Sequence, residues 1–408
     1  MPNRYYPAVR SSAAVILIGT TFLSFCSRDT PGWTYSDVPG SIGTALEGGR
    51  LIRPLPVLDT LVETRQFALP SDSNGFYRFA FPTTLAVSAN GGCQVAVGDL
   101  VDRAVHVFSL NGDYKYSFFG GGRSDVTFGG SGLSSIAPAP DGRFLVATLA
   151  GRVLRFDEQG KAVHVSELAL PADTPGVRTH QIIQGPDGLL YDHWFAGEEN
   201  VIRAAQWDRD SSLIRVFDAS GRLVRRIGTV VRYPGVGLTH YLNRGEFRIA
   251  DDTLWFARRA DARILAFPLR GPYDHPSRVI DLPLYFQAAL PVEYVSRDEH
   301  RVAVRSQDHL QGFSIGPDSL FYVIQDVSWP PIDQKASPYI SKSIIDVVGR
   351  DGIVRRSLTT TKHLVTALST QAGLMGVFGR NRQLVLDLFR ESSSGDHSSL
   401  TTGCGSTA

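Results

Sequence analysis

The stretch VHVFSLNGDYKYSF (residues 105–118) places two runs of alternating apolar residues either side of a small polar turn, Asn111-Gly112-Asp113. Period-two alternation around a Gly-containing turn is the signal of a β-hairpin. The same arrangement recurs as VLRFDEQGKAVHV (153–165), IRVFDASGRLVRRI (214–227), ILAFPLRGPYDHPSRVI (264–280) and IIDVVGRDGIVRRSL (344–358). A hairpin cannot bury its apolar face alone. Its return at long intervals therefore implies a stack or a ring of repeated units.

A second cassette precedes these hairpins: a short apolar strand, a Pro/Asp/Gly turn and another apolar strand. It reads SSIAPAPDGRFLVAT (134–148), HQIIQGPDGLLYDH (180–193), EFRIADDTLWFA (246–257) and GFSIGPDSLFYVI (312–324). TTLAVSANGGCQVAVGD (83–99) and HLVTALSTQAGLMGVFG (363–379) are looser copies, so the turns fall at Asn90, Asp141, Asp187, Asp252, Asp318 and Ala372. Cassette and hairpin together give four antiparallel strands, A to D, the content of a propeller blade. The last unit has a C strand, RQLVLDLF (382–389), but no D strand. TLVETRQFAL (60–69) stands ready to supply one from the N-terminal side. The expectation is an all-β, six-bladed β-propeller of four-stranded antiparallel blades over residues 60–391. An N-terminal strand would close the ring and remove its open edge.

DRAVHVFSLNGDYKYSFFGGG (102–122) and PDGRFLVATLAGRVLRFDEQGK (140–161) resemble the NHL-type six-bladed β-propeller. The resemblance is strongest over residues 83–165 and extends to the later blades as pattern alone. It is similar in look to exported bacterial propeller proteins and lipoproteins of unassigned function, and to the amidoglycolate lyase and gluconolactonase-like enzymes. What it implies is a fold, because one propeller scaffold hosts many activities.

At 408 residues and 43% hydrophobic content the chain can bury a large core, and its net charge of +1 gives no global field toward nucleic acid. Arg4 and Arg10 precede an uncharged run from Ser11 to Phe25 that ends at Cys26. A basic segment followed by so short an apolar one reads as a secretory signal over residues 1–26. Leu23, Ser24 and Cys26 have the form of a lipobox, with Phe25 where a small residue is expected, so lipidation at Cys26, plain cleavage and an uncleaved anchor all stay open. Residues 27–59 read as a tether and 392–408 as a disordered C-terminal tail. The expected address is periplasmic or outer-membrane-attached, with membrane contact only through the N-terminal anchor, and the ring is expected to be a monomer. Cys93 and Cys404 would emerge on the same face of a ring, where an oxidising compartment permits a disulfide.

The other face carries the B–C and D–A connections, which are long, as in 192–212, 325–343, 228–244 and 284–310. Connections of this length are functional or irregular. Three of the five tryptophans, Trp194, Trp207 and Trp329, fall in the two B–C insertions. With Arg178, Arg258 and Arg380, joined by Arg259, Arg305 and Arg382, they form the candidate surface for a small-molecule ligand or a cell-envelope protein. Asp99, Asp102, Asp192, His193 and Asp326 are the acids and imidazole to watch there. His180, His240, His309 and His363 precede successive A strands and are candidates for zinc or calcium. Their separations from the following turn differ, so a common depth, and hence a metal, is not expected. The turn aspartates Asp141, Asp187, Asp252 and Asp318 are read as turn formers. No G-x-S-x-G, H-E-x-x-H, P-loop or C-x-x-C motif occurs. A non-catalytic binding protein without a cofactor is therefore the leading expectation, and a metal-dependent lyase or lactonase the alternative.

Overall fold

A computed structural model of the chain describes residues 50–51, 58–67, 82–87, 94–99, 103–119, 132–139, 141, 143–157, 161–169, 177–196, 212–231, 243–259, 262–283, 286–287, 292–298, 301–306, 310–328, 341–360, 364–370, 373–380 and 383–391. Strands β1 (Arg50–Leu51) and β2 (Leu58–Phe67) come first. Four-stranded antiparallel sheets then follow in sequence order. The first is β3 (Pro82–Val87), β4 (Gln94–Asp99), β5 (Ala104–Ser109) and β6 (Tyr114–Phe119). The second is β7 (Leu133–Pro138), β8 (Phe144–Thr148), β9 (Arg152–Phe156) and β10 (Ala162–Glu167). The third is β11 (Val177–Gln184), β12 (Leu190–Ala196), β13 (Ser212–Phe217) and β14 (Leu223–Thr229). The fourth is β15 (Gly245–Ala250), β16 (Thr253–Arg258), β17 (Arg263–Pro268) and β18 (Arg278–Asp281). Short strands β19 (Phe286–Gln287), β20 (Val292–Asp298) and β21 (Arg301–Ser306) intervene before β22 (Leu310–Ile315), β23 (Phe321–Ser328), β24 (Ser341–Val348) and β25 (Val354–Thr360). The last three are β26 (Leu364–Thr370), β27 (Gly373–Arg380) and β28 (Gln383–Glu391).

The chain is an all-β propeller with four-stranded antiparallel blades. Among the described residues there are five sheets of four or more strands, where the sequence reading expects six separate units. The last two units share one eight-stranded sheet, ordered β22-β23-β24-β25-β2-β28-β27-β26. The reason lies in β2. It pairs antiparallel with β28 from Leu61↔Glu391 to Phe67↔Leu386, and its first residues pair parallel with β25, Leu58↔Ser357 to Thr60↔Thr359.

Burial follows strand position. The middle strands β4 and β8 are buried along nearly their whole length, because both faces are covered by neighbouring sheets. The outer strands β10, β14 and β18 alternate or face water, leaving Val163, Val165, Val224 and Val279 exposed. Apolar clusters fill the gaps between successive sheets. Phe118 stacks on Phe156 at 4.1 Å between the first and second. Tyr191, Val216 and Ile227 meet Phe247, Leu254 and Phe267 between the third and fourth. Leu61 packs with Tyr322, Ile345 and Leu374, while Phe67 and Val377 pack with Val95 and Phe108 of the first sheet.

The inner strands touch in the order β3, β7, β11, β15, β22, β26, and β26 touches β3. Side chains stitch them together by hydrogen-bonding the next inner strand's backbone. Ser135 Oγ accepts from Ile182 N at 3.2 Å. Gln181 accepts from Phe247 N at 2.9 Å and donates to Phe247 O at 3.1 Å. Glu246 Oε2 accepts from Phe313 N at 3.3 Å. Ser135, Gln181 and Glu246 hold the same place in their cassettes, each equally far before its turn aspartate Asp141, Asp187 or Asp252. Without such partners these inner N–H groups would be costly orphans.

The turns behave as their chemistry requires. Asp141, Asp187 and Asp318 each accept from the backbone N–H two residues on, at 3.2, 3.2 and 3.1 Å. Asp251 and Asp252 both have positive φ, the requirement of a two-residue type I′ hairpin. Gly221, at φ +83°, lies where a Cβ would sit 1.9 Å from Glu167 O, so only glycine lets this turn dock on the edge of β10.

Candidate functional site

The ends of β11 and β13 where those strands begin, and of β12 and β16 where they finish, lie at the pole served by the long connections. Here the third sheet carries a buried polar row. Asp192 and Arg215 face each other across β12 and β13 and pair at 2.6 Å, both essentially without exposure. The Arg215 guanidinium lies 5.1 Å from the Trp194 ring centre and 5.7 Å from that of Phe217, within cation–π range of both rings. Trp194 Nε1 donates to Ser212 O at 3.2 Å.

His193 is the next residue along. Its Nδ1 lies 2.9 Å from Leu213 O, and since a carbonyl only accepts, Nδ1 carries the proton. Nε2 is thus a lone pair, buried and without a hydrogen-bond partner among the described residues. The ring packs edge-on against His180 at 5.7 Å and Phe256 at 5.0 Å. Burial holds His193 far below the ordinary imidazole range, at about 4. The Leu213 carbonyl opposes that shift, and the charges of Arg259, Arg244 and Arg215 add to it.

The site continues into the fourth sheet. Glu246 on β15 accepts from Arg259 at 3.0 Å and pairs with Arg248 at 3.5 Å. Arg248 also donates to Phe247 O at 2.8 Å. Two frames hold this pole in shape. Asn243 clamps Val231 through both its amide groups at 2.9 and 2.8 Å, and Gln325 donates to Pro283 O and to the buried Asp346, each at 2.8 Å.

Several expectations change here. Trp194 and Asp192 were expected in an insertion, but both lie within β12, and Trp194 is only 6% exposed. Its ring is spent on Arg215 and the sheet, which leaves little of it for a ligand. Arg258 ends β16 and is 5% exposed. Arg178 and Arg380 stand near the outer ends of β11 and β27, Arg305 in β21 and Asp326 in β23. Asp99 is fully buried at the end of β4. The long connection after β18 is not all loop, because β20 and β21 form a hairpin and β19 pairs with β1, inside the expected tether. Of the four histidines only His180 is described. Trp207, Trp329, His240, His309, His363, Asp102, Arg382, Cys26, Cys93 and Cys404 lie outside the described residues. Glu246, Arg248 and Arg244 were missed. The shared cassette position of Ser135, Gln181 and Glu246 was the signal that could have found Glu246.

The buried imidazole has a consequence for acid stability. Unfolded His193 would titrate near 6.5 and the folded form near 4, so the unfolded chain binds the extra proton between those values. Stability is therefore expected to fall as pH drops through this window, by roughly 2 kcal/mol between pH 7 and pH 5. Denaturant unfolding at the two pH values should show it. His193→Gln should remove that part of the slope, and an unchanged slope would locate the acid sensitivity elsewhere.

No family model matches the chain, and no curated protein matches it. Solved structures similar to it include a DUF4221 family member from Bacteroides vulgatus, at 11% identity and TM-score 0.49, covering 84% of this chain and 98% of that one. Virginiamycin B lyase from Staphylococcus aureus is similar at 10% identity and TM-score 0.41, covering 80% and 98%. The β-propeller domain of Cps50 (Swd1) from Myceliophteria thermophila is similar at 11% identity and TM-score 0.42, covering 80% and 99%. At this level the likeness concerns fold alone, and the chemistry of the site is taken from this chain's own residues.

Proposed function

We propose that the protein is an exported, six-bladed propeller closed by its N-terminal strand, which binds a ligand or a cell-envelope partner without catalysis at the pole of the long connections. Six blades follow if the eight-stranded sheet is two blades that share the edge of β2. The cyclic order of inner-strand contacts supports that division. The basic segment with Arg4 and Arg10, the apolar run and Cys26 support export and a lipid tether, with the sequence between Cys26 and β1 spacing the ring from a membrane.

One observation carries the binding reading. At this pole His180, His193, Glu246, Arg248 and Arg259 converge from β11, β12, β15 and the end of β16, and Arg248 and Arg259 keep 21% and 22% of their side chains exposed. Convergent polar groups held on rigid strands are what a binding site requires. The alternative of a metal-dependent lyase or lactonase draws on the His180–His193 pair, whose Nε2 lone pair on His193 could serve as a ligand atom. Zinc takes three or four protein ligands, and among the described residues no group of three His, Cys, Asp or Glu gathers. Arg259 and Arg244 also add positive charge beside the imidazole, which disfavours a cation.

Protein purified from a periplasmic extract without chelator should carry less than stoichiometric zinc and calcium by elemental analysis. Immobilised wild type should retain a component of that extract. Arg259→Gln, still folded by its melting curve, should bind at least ~30-fold more weakly, since loss of a true anchor costs about 2 kcal/mol or more. Stoichiometric metal would transfer the site to the enzyme reading.

A further inference from the structure

We infer that the Glu246–Arg248–Arg259 group is a subsite for a small monoanionic carboxylate, a reading that rests on the binding function proposed for this pole. The inner-strand stitch at this cassette position needs only a hydrogen-bond acceptor. Ser135 Oγ and Gln181 Oε1 supply one without charge. In the fourth sheet the acceptor is a carboxylate only 14% exposed. Burying a charge is costly unless it is paired. Glu246 is paired twice, with Arg259 on Oε1 and with Arg248 on Oε2. The stitch to Phe313 N does not explain why two guanidiniums are gathered here.

Arg248 shows what they are gathered for. Of its five N–H groups, one Nη1 proton goes to Phe247 O and one Nη2 proton to Glu246 at the long distance of 3.5 Å. The remaining edge of a planar fork, on a side chain one-fifth exposed, matches the two oxygens of a carboxylate. Within the trio, one carboxylate balances one guanidinium and leaves a single positive charge, which suits a monoanion better than a phosphate dianion. The sign of the field reaches beyond the trio: Arg259, with Arg244 beside it, adds to the depression of neighbouring His193 as a cation.

Thermal-shift and calorimetric titrations of the full exported protein with sodium acetate, sodium lactate, inorganic phosphate and sodium chloride, at matched ionic strength, test the inference. Acetate and lactate should bind saturably, with phosphate at least ~10-fold weaker and chloride not saturating. Arg248→Gln should weaken lactate at least ~10-fold. Glu246→Gln is the discriminating variant: its amide oxygen can still accept from Phe313 N, yet it removes the negative charge that competes with a ligand for Arg248, so it should bind lactate more tightly than wild type. A residue that only holds strands together could not produce that gain. Phosphate binding tighter than carboxylate would overturn the ligand class. Equal shifts from all four salts, or no saturation in wild type, would overturn the subsite. Retained capture of an extract component alongside either failure would leave the binding reading of this pole standing.

Discussion

Asp192→Ala is expected to cost about 3–5 kcal/mol, because it strands a guanidinium that has almost no exposure. Arg215 is the largest fully buried side chain among the described residues, its guanidinium 5.1 and 5.7 Å from the ring centres of Trp194 and Phe217, and its Nε has no hydrogen-bond partner there. Among the described residues no other carboxylate pairs with Arg215, and at 1% exposure its side chain has no short route to water. Whether the pair is stabilising in itself is a separate matter. Two desolvated ions recover only part of their hydration from each other, so apolar residues of similar volume can do as well. The double variant Asp192→Leu/Arg215→Met should therefore be much closer to wild type than Asp192→Ala alone. Chemical denaturation of wild type, the single variants and the double variant decides it. A loss below about 1 kcal/mol for Asp192→Ala would mean that Arg215 finds water or another anion.

The same pair marks where the sequence stops being readable. Hairpins were legible because their information is local: Gly112, Gly221 and Gly352 all adopt positive φ between strands that alternate. The inner turns were legible for the same reason, and so was the pairing of an N-terminal strand with the last one, since β28 ends without a hairpin partner. Asp192 and His193 misled because they interrupt an apolar run and so read as the start of a loop. What keeps them in a strand is Arg215 and the Leu213 carbonyl, on a strand that follows a long insertion. No window along the chain contains both partners. The hairpin of β20 and β21 was missed for a different reason. Its strands alternate, but Glu299 and His300 between them carry no turn signature. Merging of the last two units could not be foreseen either, because the parallel pairing of Leu58–Thr60 with β25 has no local mark. Arg248 carries no local mark in the sequence, because a charged residue on a short strand is ordinarily solvated.

Removal of residues 58–67 should abolish cooperative folding. β2 is hydrogen-bonded on both sides, so its loss opens two edges at once, along β28 and at the end of β25. Open edges invite association with other chains, and the shortened protein should accumulate as aggregate. The apolar loss is as severe. Leu61 is 6% exposed in the cluster of Tyr322, Ile324, Ile345 and Leu374, and Phe67 is 1% exposed against Val95, Val97, Met375 and Val377, with its ring 5.5 Å edge-on from Phe108. One strand thus plugs two different intersheet gaps. Leu61→Ala should cost about 2–5 kcal/mol and Phe67→Ala about 3–5. The two residues sit in separate clusters, so the losses should nearly add. Their sum is comparable to the whole stability of an ordinary domain, about 5–15 kcal/mol. The point variants make the test independent of aggregation. Each should lower the denaturant midpoint, the double variant should lower it by close to the sum, and a peptide of residues 58–67 added in excess to the deletion protein should recover soluble material. A deletion protein that melts at the wild-type temperature would show that β2 merely lies against a ring that closes without it.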